Sequence, residues 1–188
     1  MSDELTDIAI LKEMIKGTAI VPLQNRHDKM QVTLTEPAPA NYSVTINGMP
    51  QNDDVIVIKA DAFNSPKTVF KGNRGECKRA DFVIVADTEN KKVILYIEMK
   101  GGKGGLETEI IQQLKGAQCF VAYCRKIGQS FWEKQNFLSD YVYRFVSIRE
   151  ISIPKQRTRI ERPSSNHDRP DRMLKISSPN YLQFNHLI

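Results

Sequence analysis

The segment from Arg79 to Lys100 constrains the fold of this chain more than any other, because it reads as two strands joined by a short turn. Residues 82–86 and residues 93–97 are apolar and rich in β-branched side chains, whereas residues 87–92 between them are polar. Two such runs separated by a short polar stretch are typical of a β-hairpin. The sequence therefore predicts a hairpin in the middle of the chain.

The length of the turn predicts the register of this hairpin. If Glu89 and Asn90 form a two-residue turn, the strands pair outward from them, and Asp81 lies directly across from Glu98. Directly opposed residues have Cβ atoms about 4.5–5.5 Å apart. We therefore expect two carboxylates side by side where the first strand begins and the second ends.

The second strand ends on the triplet Glu98-Met99-Lys100. Side chains alternate between the two faces of a strand, so Lys100 shares the face of Glu98 while Met99 points to the other face. A slip of one residue in the register would move Asp81 away from the face of Glu98. The predicted register thus gathers two acids and one ammonium on one face.

Two adjacent carboxylates repel each other unless a positive charge lies between them. A divalent cation with a preference for oxygen ligands, Mg²⁺ or Mn²⁺, serves this purpose. Lys100 could then orient an attacking water or stabilise a phosphate oxygen. The alternative is a surface hairpin with an exposed Asp81 and a simple Glu98–Lys100 ion pair.

Asp81 followed by Glu98-Met99-Lys100 resembles the D…(D/E)XK signature of the PD-(D/E)XK nuclease superfamily. The resemblance covers residues 72–124 and departs from the motif's name at Ala80, where a proline would stand. It implies an α/β protein with a restriction-endonuclease-like core, in which a central mixed β-sheet is flanked by helices.

The same resemblance implies a metal-dependent nuclease that hydrolyses phosphodiester bonds, in DNA more than in RNA. Asp81 and Glu98 would hold Mg²⁺, or Mn²⁺, with the backbone carbonyl of Met99 as a further ligand, and Lys100 would position the attacking water. One site per chain would cut both strands only as a homodimer or by successive nicks. A nuclease-like module that binds nucleic acid or a protein partner without cutting is the alternative.

Residues 106–124 predict an amphipathic helix, since apolar residues recur at helical spacing from Ile110 onward. Gln113 lies between Ile110 and Ala117 on the inward face, whereas Gln112 lies about 100° further round. In the family that the chain resembles, a glutamine on this helix reaches toward the active site, which makes Gln113 the better candidate. Gln113 could equally satisfy a buried backbone group.

Glu76 is a further acid upstream of Asp81. The resemblance makes it a candidate for extending the metal site or holding a second ion, and the alternative is a loop acid that balances its basic neighbours. Residues 101–105 (GGKGG) predict a flexible hinge. The basic residues predicted to contact nucleic acid are Arg74, Lys78, Arg79, Lys103, Arg157 and Arg159.

The length of 188 residues predicts a single domain with a nuclease-like core at about residues 53–153. An N-terminal helix and strands occupy residues 1–52, and a basic arm occupies residues 154–188. Residues 154–175 carry seven basic and three acidic side chains, which suits either a nucleic-acid contact or a solvated loop. Predicted elements outside the hairpin are a helix at 3–16 and strands at 31–35, 42–46, 54–59 and 141–153, all strands joining one sheet.

Composition agrees with a polyanionic partner, because the net charge is +5 and the pI is about 9.1. Three cysteines without a CxxC pair argue against a zinc site or a disulfide framework. The sequence shows no signal peptide and no long apolar run. We therefore expect a cytoplasmic, reduced protein without a membrane segment.

Overall fold

The computed structural model describes residues 5–37, 41–102, 105–150, 159–161 (backbone only) and 166–188. This part of the chain forms two α-helices, α1 (Asp7–Met14) and α2 (Glu107–Phe131), and ten strands in two sheets. The strands are β1 (Gln24–Arg26), β2 (Lys29–Glu36), β3 (Tyr42–Met49), β4 (Val55–Lys59), β5 (Phe82–Thr88), β6 (Lys91–Lys100), β7 (Val142–Arg149), β8 (Arg159–Glu161), β9 (Leu174–Ser177) and β10 (Tyr181–Gln183).

The larger sheet has six strands in the order β4-β5-β6-β7-β9-β8. Strands β4, β5 and β6 are antiparallel neighbours, and β6, β7 and β9 run parallel to one another. Helix α2 makes the crossover between β6 and β7, as a parallel pair requires. The prediction of an α/β protein with a mixed sheet is therefore confirmed.

The smaller sheet has four strands in the order β1-β2-β3-β10. We expected the strands at 31–35 and 42–46 to join the central sheet, and this expectation was wrong. Alternate residues of β2 and β3 are buried, and they pack against the far face of the larger sheet. The two sheets therefore stack, which buries both faces of the central hairpin and explains why its strands are almost continuously apolar.

Two apolar clusters lie on opposite faces of the larger sheet. One cluster joins the sheet to the helices, and Val83, Val85, Ile94 and Tyr96 of the hairpin belong to it. The other joins the two sheets, and it takes the hairpin residues of opposite parity, including Ile84, Leu95, Ile97 and Met99. The buried odd-numbered residues of β5 and even-numbered residues of β6 therefore face the helices, and the alternate residues face the smaller sheet.

The register of the hairpin agrees with the prediction. Phe82 lies opposite Ile97 and Thr88 lies opposite Lys91, which leaves Glu89 and Asn90 as the two-residue turn. The Thr88 hydroxyl closes the turn, since it accepts a hydrogen bond from the Lys91 N–H at 3.0 Å and donates one to the Lys91 carbonyl at 2.7 Å. Continued by one residue, this register sets position 81 opposite position 98.

The helices and β7 differ in length from their predictions. Helix α1 begins after Thr6, whose hydroxyl accepts a hydrogen bond from the Ala9 N–H at 3.1 Å, and α2 continues seven residues past the predicted end at 124. Strand β7 ends at Arg149, and residues 151–153 of its predicted range lie outside the described residues. Among the described helices, none is both long and apolar enough to cross a membrane.

We expected residues 154–188 to form a basic arm, but much of the described part of this segment forms strands of the two sheets. Residues 159–161 and 174–177 form β8 and β9 at one edge of the larger sheet, and residues 181–183 join the smaller sheet. The apolar alternation of Leu174 and Ile176, both buried, accounts for β9. Residues 154–158 and 162–165 lie outside the described residues.

Helix α2 approaches the chain just before β5 very closely at Gly116. A Cβ atom at this position would lie 1.7 Å from the backbone carbonyl oxygen of Lys78. The missing side chain therefore lets the helix rest on the segment that leads into Asp81.

We expect Gly116→Ala to lower the free energy of unfolding by about 1–3 kcal/mol, because the helix and residues 78–80 must move apart. The matched control is Gly17→Ala, since a Cβ there meets nothing within 4 Å. Urea unfolding of the two variants measures the difference. Equal stability of both variants would contradict the close approach.

Candidate functional site

The structure brings Asp81 and Glu98 together at the end of the hairpin. Asp81 directly precedes β5, and its Oδ2 accepts a hydrogen bond of 2.7 Å from the backbone N–H of Met99. Side chains two residues apart on a strand share a face, so Asp81 lies on the face of Val83 and Val85, and Glu98 lies on the face of Tyr96. Both carboxylates therefore lie on the face covered by the helices. The predicted pairing of the two acids is therefore present in the fold.

Lys100 completes a charged cluster with Glu98. Its Nζ lies 2.6 Å from Glu98 Oε1, so the two side chains are in direct contact as an ion pair. Met99 between them is fully buried on the opposite face, in the cluster that joins the two sheets. The alternation predicted for the triplet is thus the one that the strand adopts.

Glu98 is the most deeply buried charged side chain of this cluster, with 0 % of it exposed. Its Oε2 has no hydrogen-bond partner within the described residues. Ser147 lies beside Glu98 in the register of β6 and β7, and its hydroxyl is likewise buried without a partner there. Because buried polar atoms without partners are costly, this end of the sheet has unused capacity for a ligand.

The pKa values of both carboxyls are raised. Burial raises the pKa of Asp81 to about 6, against the hydrogen bond from the Met99 N–H, which lowers it. Burial, and then the neighbouring charge of Asp81, raise the pKa of Glu98 to about 8. At neutral pH the two acids together therefore retain about one proton.

Lys100 behaves differently from the two acids. Burial lowers the pKa of its ammonium group, but attraction to Glu98, the contact with that carboxylate, and the charge of Asp81 outweigh burial, so the pKa is raised. Lys100 therefore stays positively charged near neutral pH. It can donate hydrogen bonds or balance negative charge, but it cannot accept a proton there.

Two further acids near the site were not found from the sequence. The charge of Glu36 acts on Asp81 and on Lys100, and the charge of Asp61 acts on Asp81. Glu36 ends β2, and its Oε2 is buried without a partner in the described part of the chain. The sequence feature that could have indicated Glu36 is its spacing, because Glu36 stands two residues after the buried Leu34 and so lies on the inward face of β2. Asp61 carries no comparable signal.

The donor set fits a small hard cation. Within the described ranges, no three histidine, cysteine or acidic side chains come close enough together to hold a metal ion by themselves. Magnesium needs fewer protein ligands, because it commonly binds through one or two carboxylates and keeps several waters. The pair Asp81 and Glu98, with its partnerless Oε2, meets this requirement. The Met99 carbonyl as a ligand stays a prediction.

The two glutamines of α2 occupy different surroundings. Gln112 is engaged by the loop before β5, since its Oε1 accepts a hydrogen bond of 3.0 Å from Lys78 Nζ. It also fills the space over Gly75, whose φ is +85° and where a Cβ atom would lie 2.6 Å from the Gln112 side chain. Gln113 is half-buried, and no hydrogen bond joins its side chain to another described residue. Gln113 remains the better candidate for a role at the site.

Glu76 is used by its own loop. Its carboxylate accepts hydrogen bonds from the backbone N–H groups of Gly72 at 2.9 Å and Arg74 at 2.8 Å. Hydrogen bonds from the backbone of Glu76 itself and of Arg74 lower its pKa. The structure records no contact of Glu76 with Asp81 or Glu98 among the described residues. These bonds favour the interpretation of Glu76 as a loop acid.

The structure describes the side chains of three of the six residues predicted to contact nucleic acid, and the contacts themselves stay predictions. Lys78 pairs with Glu109 at 3.4 Å, and the guanidinium of Arg79 lies 5.7 Å from the ring centre of Phe63. Arg74 is exposed on the same loop. Lys103, Arg157 and the side chain of Arg159 lie outside the described residues.

The raised carboxyl pKa values predict how stability depends on pH. Between the ordinary values of 3.8 and 4.5 and the folded values of about 6 and about 8, the folded chain holds more protons than the unfolded chain. The free energy of unfolding of the metal-free protein should therefore receive a contribution that falls as pH rises through this window. The Glu98→Gln variant should lose most of this decrease in the free energy of unfolding with pH. At pH 9 its free energy of unfolding should exceed that of the parent by roughly 1–4 kcal/mol.

Urea unfolding in EDTA at pH 5, 7 and 9 measures this effect as a difference between variants. Asp87→Asn is the matched control, because Asp87 pairs with Lys92 at 3.3 Å on the surface and contributes little. The same pH slope in Glu98→Gln and in the parent would show that Glu98 does not titrate as described.

Cation binding should compete with the retained proton. We expect the affinity for Mn²⁺ to increase from pH 6 to pH 8 and binding at pH 7 to release about one proton. Titration calorimetry in two buffers of different ionisation enthalpy measures the release. Asp81→Asn and Glu98→Gln should each weaken binding at least about tenfold, whereas Asp87→Asn should not. Affinity that is independent of pH and survives both substitutions would place the cation elsewhere.

Comparison of the chain with protein-family models, with curated proteins and with solved structures finds no match. The membership in a nuclease superfamily that the motif suggests thus stays a prediction. The geometry of Asp81, Glu98 and Lys100 is what the functional argument rests on.

Proposed function

We propose that this chain is a metal-dependent nuclease of the PD-(D/E)XK type that hydrolyses phosphodiester bonds. The observation that carries the proposal is the convergence of Asp81, Glu98 and Lys100 on one covered face at the end of the hairpin. DNA is favoured over RNA by the resemblance of the motif.

The order of the elements supports a restriction-endonuclease-like core. Asp81 precedes one strand of the hairpin, Glu98 and Lys100 end the other, and α2 follows with Gln113 on its inward side. This order supports the proposal, because the family that the chain resembles has its carboxylates beside a helix that carries a glutamine. The second sheet and the strands β8 and β9 are additions around that core.

Each residue of the site has a separate role in the proposed reaction. The Met99 N–H fixes the Asp81 carboxylate, and burial under α2 keeps water from screening the charges. Lys100 remains protonated and donates to the attacking water or to a non-bridging phosphate oxygen. Mg²⁺ or Mn²⁺ held by Asp81 and Glu98 would supply positive charge against the charge that develops on the phosphate.

A second function is supported by the ion pair itself. Glu98 and Lys100 already lie 2.6 Å apart, as the two members of a purely structural pair would also do. A nuclease-like module that binds nucleic acid or a protein without cutting is therefore the alternative proposal.

Cleavage of supercoiled plasmid, linear duplex and single-stranded oligonucleotides in Mg²⁺, Mn²⁺ or EDTA tests the proposal. We expect cutting only with a divalent cation, and a loss of at least about 100-fold in Glu98→Gln and in Lys100→Ala, because each removes a charge from the reacting centre. Asp87→Asn should cut like the parent chain.

The outcomes separate the two proposals. Cutting that continues in EDTA, or that survives both substitutions, would assign the activity to another site. Binding of nucleic acid without cutting in either metal would favour the module.

A further inference from the structure

A groove of about 590 Å³ opens between the segment that precedes β5 and the outer side of α2. We call it the aromatic groove, because aromatic rings make up much of its wall. Phe70 and Tyr123 are 54 % and 56 % exposed, so their rings are available to a ligand. The lining residues that matter here are Phe63, Phe70, Arg79, Cys119, Phe120 and Tyr123.

The rings of the groove are held in place from below. The ring of Phe63 lies 5.3 Å from buried Phe120 and 6.1 Å from Tyr123, in tilted arrangements. The guanidinium of Arg79 covers Phe63 at 5.7 Å. An aromatic platform anchored to the core in this way keeps its shape without a ligand, so a ligand would not have to order it.

The segment that forms one wall of the groove is basic, and the charged residues that line the groove itself are Lys78, Arg79 and Glu76. Residues 63–79 contain five lysine or arginine residues and one glutamate, a local net charge of +4. Arg79 lines the groove, and its buried Nε has no hydrogen-bond partner within the described part of the chain. The same segment carries Phe63 and Phe70, and the guanidinium of Arg79 lies over the Phe63 ring, so rings and positive charge occur together. This combination suits a ligand that carries both flat apolar rings and negative charges.

The groove leads toward the carboxylates. Arg79, which lines the groove, stands two residues before Asp81, and the charge of Asp61 acts on both side chains, so the groove and the site lie near each other. Lys78, at the groove wall, touches α2 through Glu109 and Gln112. A strand lying in the groove would therefore run close to Asp81.

We propose that the aromatic groove binds single-stranded nucleic acid, with bases stacked on Phe63, Phe70 and Tyr123 and phosphates along the basic segment, and that it guides this strand to Asp81 and Glu98. The guiding step rests on the proposed nuclease function, but the binding step does not. A duplex keeps its base faces stacked on one another and cannot use the rings. A protein partner would use the rings but gains less from the positive charge.

Binding of a fluorescent single-stranded oligonucleotide in EDTA, followed by anisotropy, tests the groove without any cleavage. Tyr123→Ala and Phe70→Ala should each weaken binding roughly five- to a hundredfold, since each removes a base-stacking ring. The controls Phe131→Ala and Tyr181→Ala remove rings that are 78 % and 66 % exposed outside the groove, and they should bind like the parent. Binding of a blunt duplex should be weaker and should not respond to the ring substitutions.

Cys119 supplies a second measurement that needs no substitution. Its thiol is exposed and lines the groove, whereas Cys77 and Cys124 are buried. A single-stranded oligonucleotide should therefore slow the alkylation of Cys119 by iodoacetamide, read by mass spectrometry. The same concentration of duplex phosphate should slow it less.

Unchanged binding of single strands by both groove variants, or unchanged reactivity of Cys119, would overturn the inference even if the protein cuts nucleic acid with metal. Binding in the groove without any metal-dependent cutting would overturn the nuclease proposal and leave the groove assigned. Self-association that Tyr123→Ala abolishes in sedimentation would identify a second copy as the occupant and overturn the inference as well.

Discussion

The burial of Glu98 beside a half-buried Asp81 at the end of the central hairpin is the constraint on which the rest of the site depends. Strands β5 and β6 lie inside the larger sheet, with helices on one face and the smaller sheet on the other. Glu98 therefore has little water around it, and its Oε2 has no hydrogen-bond partner within the described residues, whereas Asp81 is half-buried and accepts a hydrogen bond from the Met99 N–H. A dry site of this kind strengthens every interaction with a cation or a phosphate, and it costs stability when empty.

The central part of this arrangement could be predicted because it is local in sequence. A two-residue turn fixes the pairing of the strands that flank it, and alternation along each strand then fixes the face of every side chain. The positions of Asp81, Glu98 and Lys100 on one face follow from these two rules alone, as does the position of Met99 on the opposite, buried face. The apolar face of α2 could be predicted in the same way from helical spacing. The same spacing predicted that Gln112 and Gln113 lie on different sides of the helix.

The remainder could not be predicted because it depends on which elements meet across long stretches of chain. An alternating strand such as β2 does not reveal whether it pairs with the hairpin or stacks upon it, so the second sheet was missed and Glu36 with it. The parallel register of β6 and β7 depends on how α2 packs, and only this register sets Ser147 beside Glu98. Strand β9 was not predicted, because its apolar residues Leu174 and Ile176 form only a short run after a segment rich in charged residues and prolines.

One contact links the aromatic groove to the acids. The inward side of α2 covers the carboxylate face, while Cys119 and Tyr123 on its outer side line the groove. Between these sides, Gly116 meets the backbone of Lys78, three residues before Asp81. A ligand that presses on the groove wall therefore acts on the same segment that holds Asp81 against the Met99 N–H. The geometry of the acids and the shape of the groove therefore both depend on the same close packing of α2 on the segment before β5.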